Sequence, residues 1–283
     1  MDCTPLLMEG LTPEMEKIAE RELCETSLVK KESLENIKEL IENEPNFHPF
    51  MDDQFLLMFL RCKKHDIQKA FDALRNFYIF KEKHSRIISN FLPSEFKTIM
   101  DMKCFTILLS RDCNGSAVVI VRVGQFNWKE ATIEDLTATV FTIAHIINRL
   151  EATSVCGCVI VFDLKDFTLQ MLFKYVTPKY LIFIIRCLQN CFPLRIKGMH
   201  LINEPYFFQI FFEIVKVALP KKLRERIFLH GRKLEGLHKF IPAEILPNEL
   251  GGKAGPFDST EMFNYVLRHE SLLQEMNKCG FKP

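Results

Sequence analysis

Four cations in two pairs have the types and spacing to do chemistry. Arg195 and Lys197 are two residues apart, and in an extended stretch such side chains point the same way. Lys222 and Arg226 stand at i, i+4 and share a face of any helical turn over 220–226. Brought together, the pairs would grip a multiply phosphorylated head group through charge-assisted hydrogen bonds. A solvated basic face is the plain alternative. Between the pairs runs EPYFFQIFFEIVKVAL, residues 204–219. Its polar positions Gln209, Glu213 and Lys216 make one narrow stripe, and Phe207, Phe208, Phe211 and Phe212 occupy other directions. A helix apolar on nearly every side is normally buried in a large core. The other destination is a lipid cavity on one side and a membrane on the other. Phe207 and Phe208 lie about 100° apart on a helix, so they cannot both point fully inward.

The residues of covalent catalysis are not arranged for it. There is no P-loop, no GxGxxG after a strand, no GxSxG elbow and no HExxH. The eight histidines are dispersed; His145 reads first as a core or surface histidine, with a catalytic base or polar pocket group as the alternative. Asp163 and Asp166 fall where a strand ends, and Asp166 is expected to cap the next helix. We therefore expect no enzyme, no metal and no cofactor beyond a bound hydrophobic ligand. The ten cysteines are scattered from Cys3 to Cys279 without a CxxC, which reads as free thiols in a reducing compartment. Cys156 and Cys158 lack partners at zinc-finger spacing.

Composition narrows the class further. The balance of 37 basic and 36 acidic residues argues against nucleic acid as the main partner. The 283 residues, 48% hydrophobic, suffice for one large core or a core with a helical satellite. Phenylalanine is in excess, 26 against five Tyr and one Trp, as a cavity for a bulky lipid would use it or as a core that merely favours Phe. The N-terminal stretch lacks the pattern of a signal peptide, and no apolar run approaches the roughly 20 residues of a membrane span. The expected location is cytoplasmic.

The elements that must position these residues fall into two textures. Residues 12–90 read as helices: Thr12-Pro13-Glu14 starts the first, 33–42 is amphipathic, Asp52 or Asp53 caps QFLLMFLRCKK, and Asp66 opens another. From Cys104 the chain alternates. Strands are expected over 104–109 and 117–123 (a hairpin around Asp112-Cys113-Asn114-Gly115), then 157–164, 199–203 and 226–229. Helices are expected over 133–152, through Leu188, and over 205–219. Near-continuous apolar strands between helices indicate an α/β sheet covered on its faces.

FPLRIKGMHLINEPYFF (192–208), KLRERIFLHG (222–231) and IPAEILPNELGG (241–252) resemble the C-terminal signature of the CRAL-TRIO family. DQFLLMFLRCKKHDIQKAF (53–71) resembles its helical N-terminal domain, and VVIVRVGQFN (118–127) and VIVFDL (159–164) its first strands. The similarity runs in order over roughly residues 12–275, and the wording is closest to the branch carrying tocopherol and retinaldehyde. The resemblance implies a helical N-terminal domain (1–92), a lipid-binding domain of mixed sheet and covering helices (93–255), and a helical tail (256–283). It makes 203–226 a mobile gate, which gives the Phe-rich helix an apolar destination on both faces. It also places the family's phosphoinositide-gripping residues on Arg195, Lys197, Lys222 and Arg226, the cations already singled out.

Lining positions carried over from the family fall on Phe162, Ile184, Cys187, Leu188, Phe192, Leu194, Phe208, Phe211, Ile214, Val215 and Leu219. Serines that help hold a tocopherol head group are replaced by Val140 and Ala144, and Leu194 follows Pro193 where phosphatidylinositol carriers have Glu. Thr137, Thr142 and His145 are the nearest polar side chains on that helix. The implied protein is a monomeric carrier of a small neutral lipid (tocopherol-, retinoid- or sterol-like), reversibly and peripherally associated with phosphoinositide membranes. A lipid sensor or adaptor of the same fold is the alternative.

Overall fold

The computed structural model describes residues 3–84 and 92–282, so 85–91, partly inside the expected helical unit, lies outside the described residues. The N-terminal unit comprises α1 (Pro13–Leu23), α2 (Ser27–Glu42), α3 (Asp53–Cys62) and α4 (Ile67–Lys83). Each opens on a side-chain cap: Thr12, Thr26, Asp52 and Asp66 accept from the backbone N–H three residues on. The second helix starts at Ser27 rather than Ser33 because Thr26 supplies that cap. Helix α3 buries every residue from Phe55 to Arg61, so it runs through the centre of this unit.

A short strand β1 (Phe47–His48) follows α2; the principal sheet then takes β2 (Phe105–Ile107), β3 (Ala117–Arg122), β4 (Cys158–Asp163), β5 (Ile196–Ile202) and β6 (Ile227–Leu229) in that spatial order. The β2–β3 pair is the expected antiparallel hairpin, and β3 to β6 run parallel. Helices α5 (Ile133–Asn148) and α6 (Glu151–Cys156) precede β4. Helices α7 (Leu169–Tyr175) and α8 (Pro178–Arg186) precede β5, and α9 (Tyr206–Val215) and α10 (Lys221–Arg224) precede β6. The chain ends in α11 (Thr260–Leu267), α12 (Glu270–Asn277) and β7 (Gly280–Phe281). Strand β7 pairs with β1, where Phe281 stacks on Phe47 at 4.6 Å. One contiguous core holds Phe55 and Phe77 of the N-terminal unit, Ile143 of α5 and Met276 of α12.

Three expectations are corrected. The helix expected over 133–152 breaks at Arg149-Leu150. No Gly or Pro marks that break; the chain turns so that Glu151 and Ser154 reach the buried Arg61 of α3, both at 2.7 Å. Asp166 does not cap α7: it adopts a left-handed turn (φ 63°), and Thr168 caps instead, accepting from Met171 N. The strand expected from Met199 begins at Ile196. Among the described residues, no helix is long and apolar enough to cross a membrane.

Candidate functional site, an apolar cleft beside a cation cluster

Side chains alternate across the sheet, and the two faces differ. Ile120, Val161 and His200 pair in register on one face and are buried. The apolar residues of that face pack under Leu237, Ile241, Leu246 and Leu250 of the chain beyond β6. On the other face Val119, Ile160, Met199 and Ile227 form a row across four strands, and all four are only half-buried. Central-strand side chains beneath covering helices are normally sealed. Here they retain access to solvent-sized space.

The helices around this face are unusual in the same way. Helices α8 (PKYLIFIIR) and α9 (YFFQIFFEIV) are strongly apolar, yet neither contains one fully buried residue. Apolar helices without a sealed side chain are candidates for the walls of a ligand site. Val140, Ala144, Ile184, Leu188 and Leu194 are half-buried against the main core. Phe208 and Phe211 lie with Leu164, Phe167, Leu172 and Leu201 in a second cluster, and half-buried Phe162 belongs to both. Val215 and Leu219 are also half-buried.

Three expected lining residues differ from these in exposure. Ile214 is 71% exposed on the outer surface of α9. Cys187 and Phe192 are buried in the main core, where Phe192 stacks on Phe141 at 5.0 Å. Nor do the gate phenylalanines face out: Phe207 and Phe208 are both half-buried, each with its ring near Phe167. The outward stripe is Tyr206, Ile210, Ile214 and Val217, each more than half exposed. Helix α7 adds exposed Phe173, two residues from the gate-packing Met171.

Of the polar groups on α5, His145 points away from the cleft. Its ring stacks on Phe55 at 5.5 Å and its Nε2 has no partner, so burial pushes its pKa down to about 3. Thr142 lines the same small cavity beside α12 as His145. Thr137 bonds Tyr180 across to α8 at 2.8 Å.

The segment leading into α9 is tied at its base. Asn203, in the left-handed region at φ 54°, donates through Nδ2 to Asp163 at 2.8 Å. Glu204 accepts from Gly231 N at 2.7 Å through one carboxylate oxygen, while the other is buried without a partner.

Strand β5 delivers the first cation pair. Arg195 stands one residue before it and Lys197 is its second residue, so both reach the same carboxylate, Glu22 of α1. Gly157, at φ 81°, permits the close approach: a Cβ there would lie 2.3 Å from the Arg195 carbonyl oxygen. The second pair arrives from α10 and the turn after it, where the Arg226 guanidinium donates to the Ile196 carbonyl oxygen. Burial, and then the positive charges of Arg226, Lys64 and Arg195, push the Lys222 ammonium below its ordinary pKa. Arg226, Lys64 and Arg195 therefore act on Lys222, while Lys197 joins the group through the Glu22 carboxylate it shares with Arg195. Among the described residues no carboxylate pairs with Lys222 or Arg226. Burial alone would raise the Glu22 carboxyl, but the Lys197 and Arg195 charges overcome it and hold the group below its usual range. Glu22 and Lys64 had no sequence signal; each is one charged residue in a polar stretch.

A mixed sheet, a half-open apolar face and a gate flanked by cations define a lipid-binding class of protein, and the chain belongs to it: residues 101–252 match the CRAL/TRIO domain, a family of lipid-binding and lipid-transfer proteins. The chain is 34% identical over 260 residues to the Alpha-tocopherol transfer protein-like protein of Homo sapiens, covering 91% of this chain and 75% of that one. It is 27% identical over 267 residues to Clavesin-2 of Rattus norvegicus, covering 93% of this chain and 81% of that one. The crystal structure of Sfh5 superposes with a TM-score of 0.53 at 14% identity, covering 94% and 99% of the two chains, and so shares the fold.

Proposed function

We propose that this protein is a carrier that encloses one small neutral hydrophobic molecule in the apolar cleft and exchanges it at membranes bearing phosphoinositides, without covalent chemistry. The observation that carries the reading is the pair of apolar helices, α8 and α9, that flank a half-exposed sheet row and bury no residue of their own. A bound hydrocarbon would give those side chains the contacts they lack, at about 25 cal/mol per Å² removed from water. The relative named Alpha-tocopherol transfer protein-like supports a cargo of that size and polarity. The exposed stripe of Tyr206, Ile210, Ile214 and Val217 supports membrane contact by the gate. Phosphoinositide at Arg195, Lys197, Lys222 and Arg226 would favour the open gate, limited by its differential affinity for the two states.

The test has two parts. Native mass spectrometry and solvent extraction of the purified protein should recover a neutral lipid in about one-to-one amount. The double substitution R195A/K197A should slow cargo transfer to phosphoinositide vesicles while leaving cargo affinity intact. Unchanged transfer, or an equal loss of cargo binding, would reduce the cluster to a solvated face.

A further inference from the structure

On the faces of α5 and α8 that carry Val140, Ala144 and Ile184 there are two hydroxyls, and they touch. On α5, Thr137 shares a face with Val140 and Ala144, lying about 60° and 20° from them around the axis. On α8, Tyr180 shares a face with Ile184, about 40° away. Val140, Phe141, Ala144 and Ile184 beside them are apolar, and Asn148, on the same stripe of α5, is committed through Nδ2 to the Pro193 carbonyl oxygen. We propose that Tyr180, held by Thr137, is the polar anchor of the cleft and selects cargo that ends in a hydroxyl group rather than an ester or ether.

The selectivity follows from where the protons go. Thr137 Oγ1 lies 2.6 Å from the Ile133 carbonyl oxygen, which can only accept, so the single Thr137 proton is committed there. The 2.8 Å contact between Thr137 Oγ1 and Tyr180 Oη must then be donated by the tyrosine. Burial pushes the Tyr180 phenol up to about 12, so it keeps its proton throughout the physiological range. Tyr180 Oη is left with lone pairs and no proton to give. It can accept from a cargo O–H and cannot donate to a carbonyl or ether oxygen. The chain of bonds runs from cargo hydroxyl to Tyr180, to Thr137, to the Ile133 carbonyl. Tyr180 is itself half-buried.

This inference rests on the cleft reading above, and the test separates the two. The protein is loaded with the apolar fluorophore diphenylhexatriene and titrated with hexadecan-1-ol or with its methyl ether, in which a methyl group replaces that proton. The alcohol should displace the probe at about three- to tenfold lower concentration, the worth of one net hydrogen bond. Y180F should abolish the preference while leaving the ether unchanged. T137V should weaken it and T137S restore it, with thermal melting confirming that each variant folds. Equal displacement by alcohol and ether in the natural protein, or a preference that survives Y180F, overturns the anchor and leaves the cleft standing. Failure of the probe or of both competitors to bind overturns the cleft, and the anchor with it.

Discussion

The carboxylate of Glu22, on the first helix, lies 2.8 Å from the guanidinium of Arg195, 173 residues further along the chain. The same oxygen receives the Lys197 ammonium. The N-terminal unit thus places its own anion on half of the cluster assigned to phosphate. Glu22→Gln removes the charge and keeps the shape. We expect it to tighten binding to phosphoinositide vesicles about two- to fivefold at low salt, because a partly exposed pair contributes little and is screened. The gain should shrink as salt rises. Co-sedimentation across an ionic-strength series measures this, and unchanged binding at low salt would show that Glu22 does not compete.

The gate separates into two surfaces that mutation can distinguish. Ile210 and Ile214 are 53% and 71% exposed, so substituting both with Ser should cost little folding stability. Each loses up to about 1.5–3 kcal/mol of burial if it enters a bilayer, so vesicle binding should fall at least tenfold. Phe211→Ala acts on the inner cluster with Leu172 and Leu201 instead. It should lower the melting temperature or cargo affinity and spare membrane binding. Normal vesicle association by I210S/I214S would remove the gate from the membrane surface.

Folding should be sensitive to acid through a buried network. Arg61, fully buried, donates to both oxygens of Glu25 at 2.8 and 2.7 Å and to Glu151 at 2.7 Å. Burial alone would raise the Glu25 carboxyl, but the bonds from Arg61 and His65 lower it to about 2. A depressed carboxylate stabilises the fold above its unfolded pKa and loses that contribution as pH falls through the folded one. From the ordinary value of 4.5 to about 2, a contribution on the order of 3 kcal/mol disappears. Urea midpoints should therefore fall between pH 5 and about 2, and Glu25→Gln should flatten that slope. Removing Arg61 is more severe, since the buried Glu25 carboxylate would keep only His65 as a partner.

Local signals account for what could be read in advance. Caps such as Asp52 and Asp66, the hairpin turn after Asp112 and the β-branched strands all act within a few residues. The spacing of Arg195 and Lys197 likewise survives into β5 because a strand preserves alternation. What escaped depends on distant partners. The break before Glu151 is made by Arg61, 90 residues away, and leaves no Gly or Pro in the chain. The outward turn of Ile214 reflects how α9 rolls on Phe167 and Leu172, and a helix apolar on nearly every side carries no signal for its rotation. The cleft floor of Ile160 and Met199 looks like any buried strand until its accessibility is known.

Cargo polarity gives the last expected outcome. Val140, Ala144 and Leu194 present hydrocarbon where head-group partners would be needed, and His145 faces Phe55 on the far side of its helix. An unpartnered hydroxyl costs about 1–3 kcal/mol to bury, and an ion far more. Phosphatidylinositol would bring several hydroxyls and a phosphate into a cleft with one anchoring pair, Tyr180 and Thr137. A neutral isoprenoid alcohol brings one hydroxyl. In competition against a bound fluorescent neutral lipid, the isoprenoid should therefore displace at least about thirtyfold more effectively, since two unpartnered hydroxyls alone cost about 2 kcal/mol or more. Phosphatidylinositol should still bind the protein outside, at Arg195, Lys197, Lys222 and Arg226, when presented in vesicles. Displacement of the cargo by phosphatidylinositol at the lower concentration would mean that the gate opens a second, polar chamber, and would overturn the neutral-cargo reading.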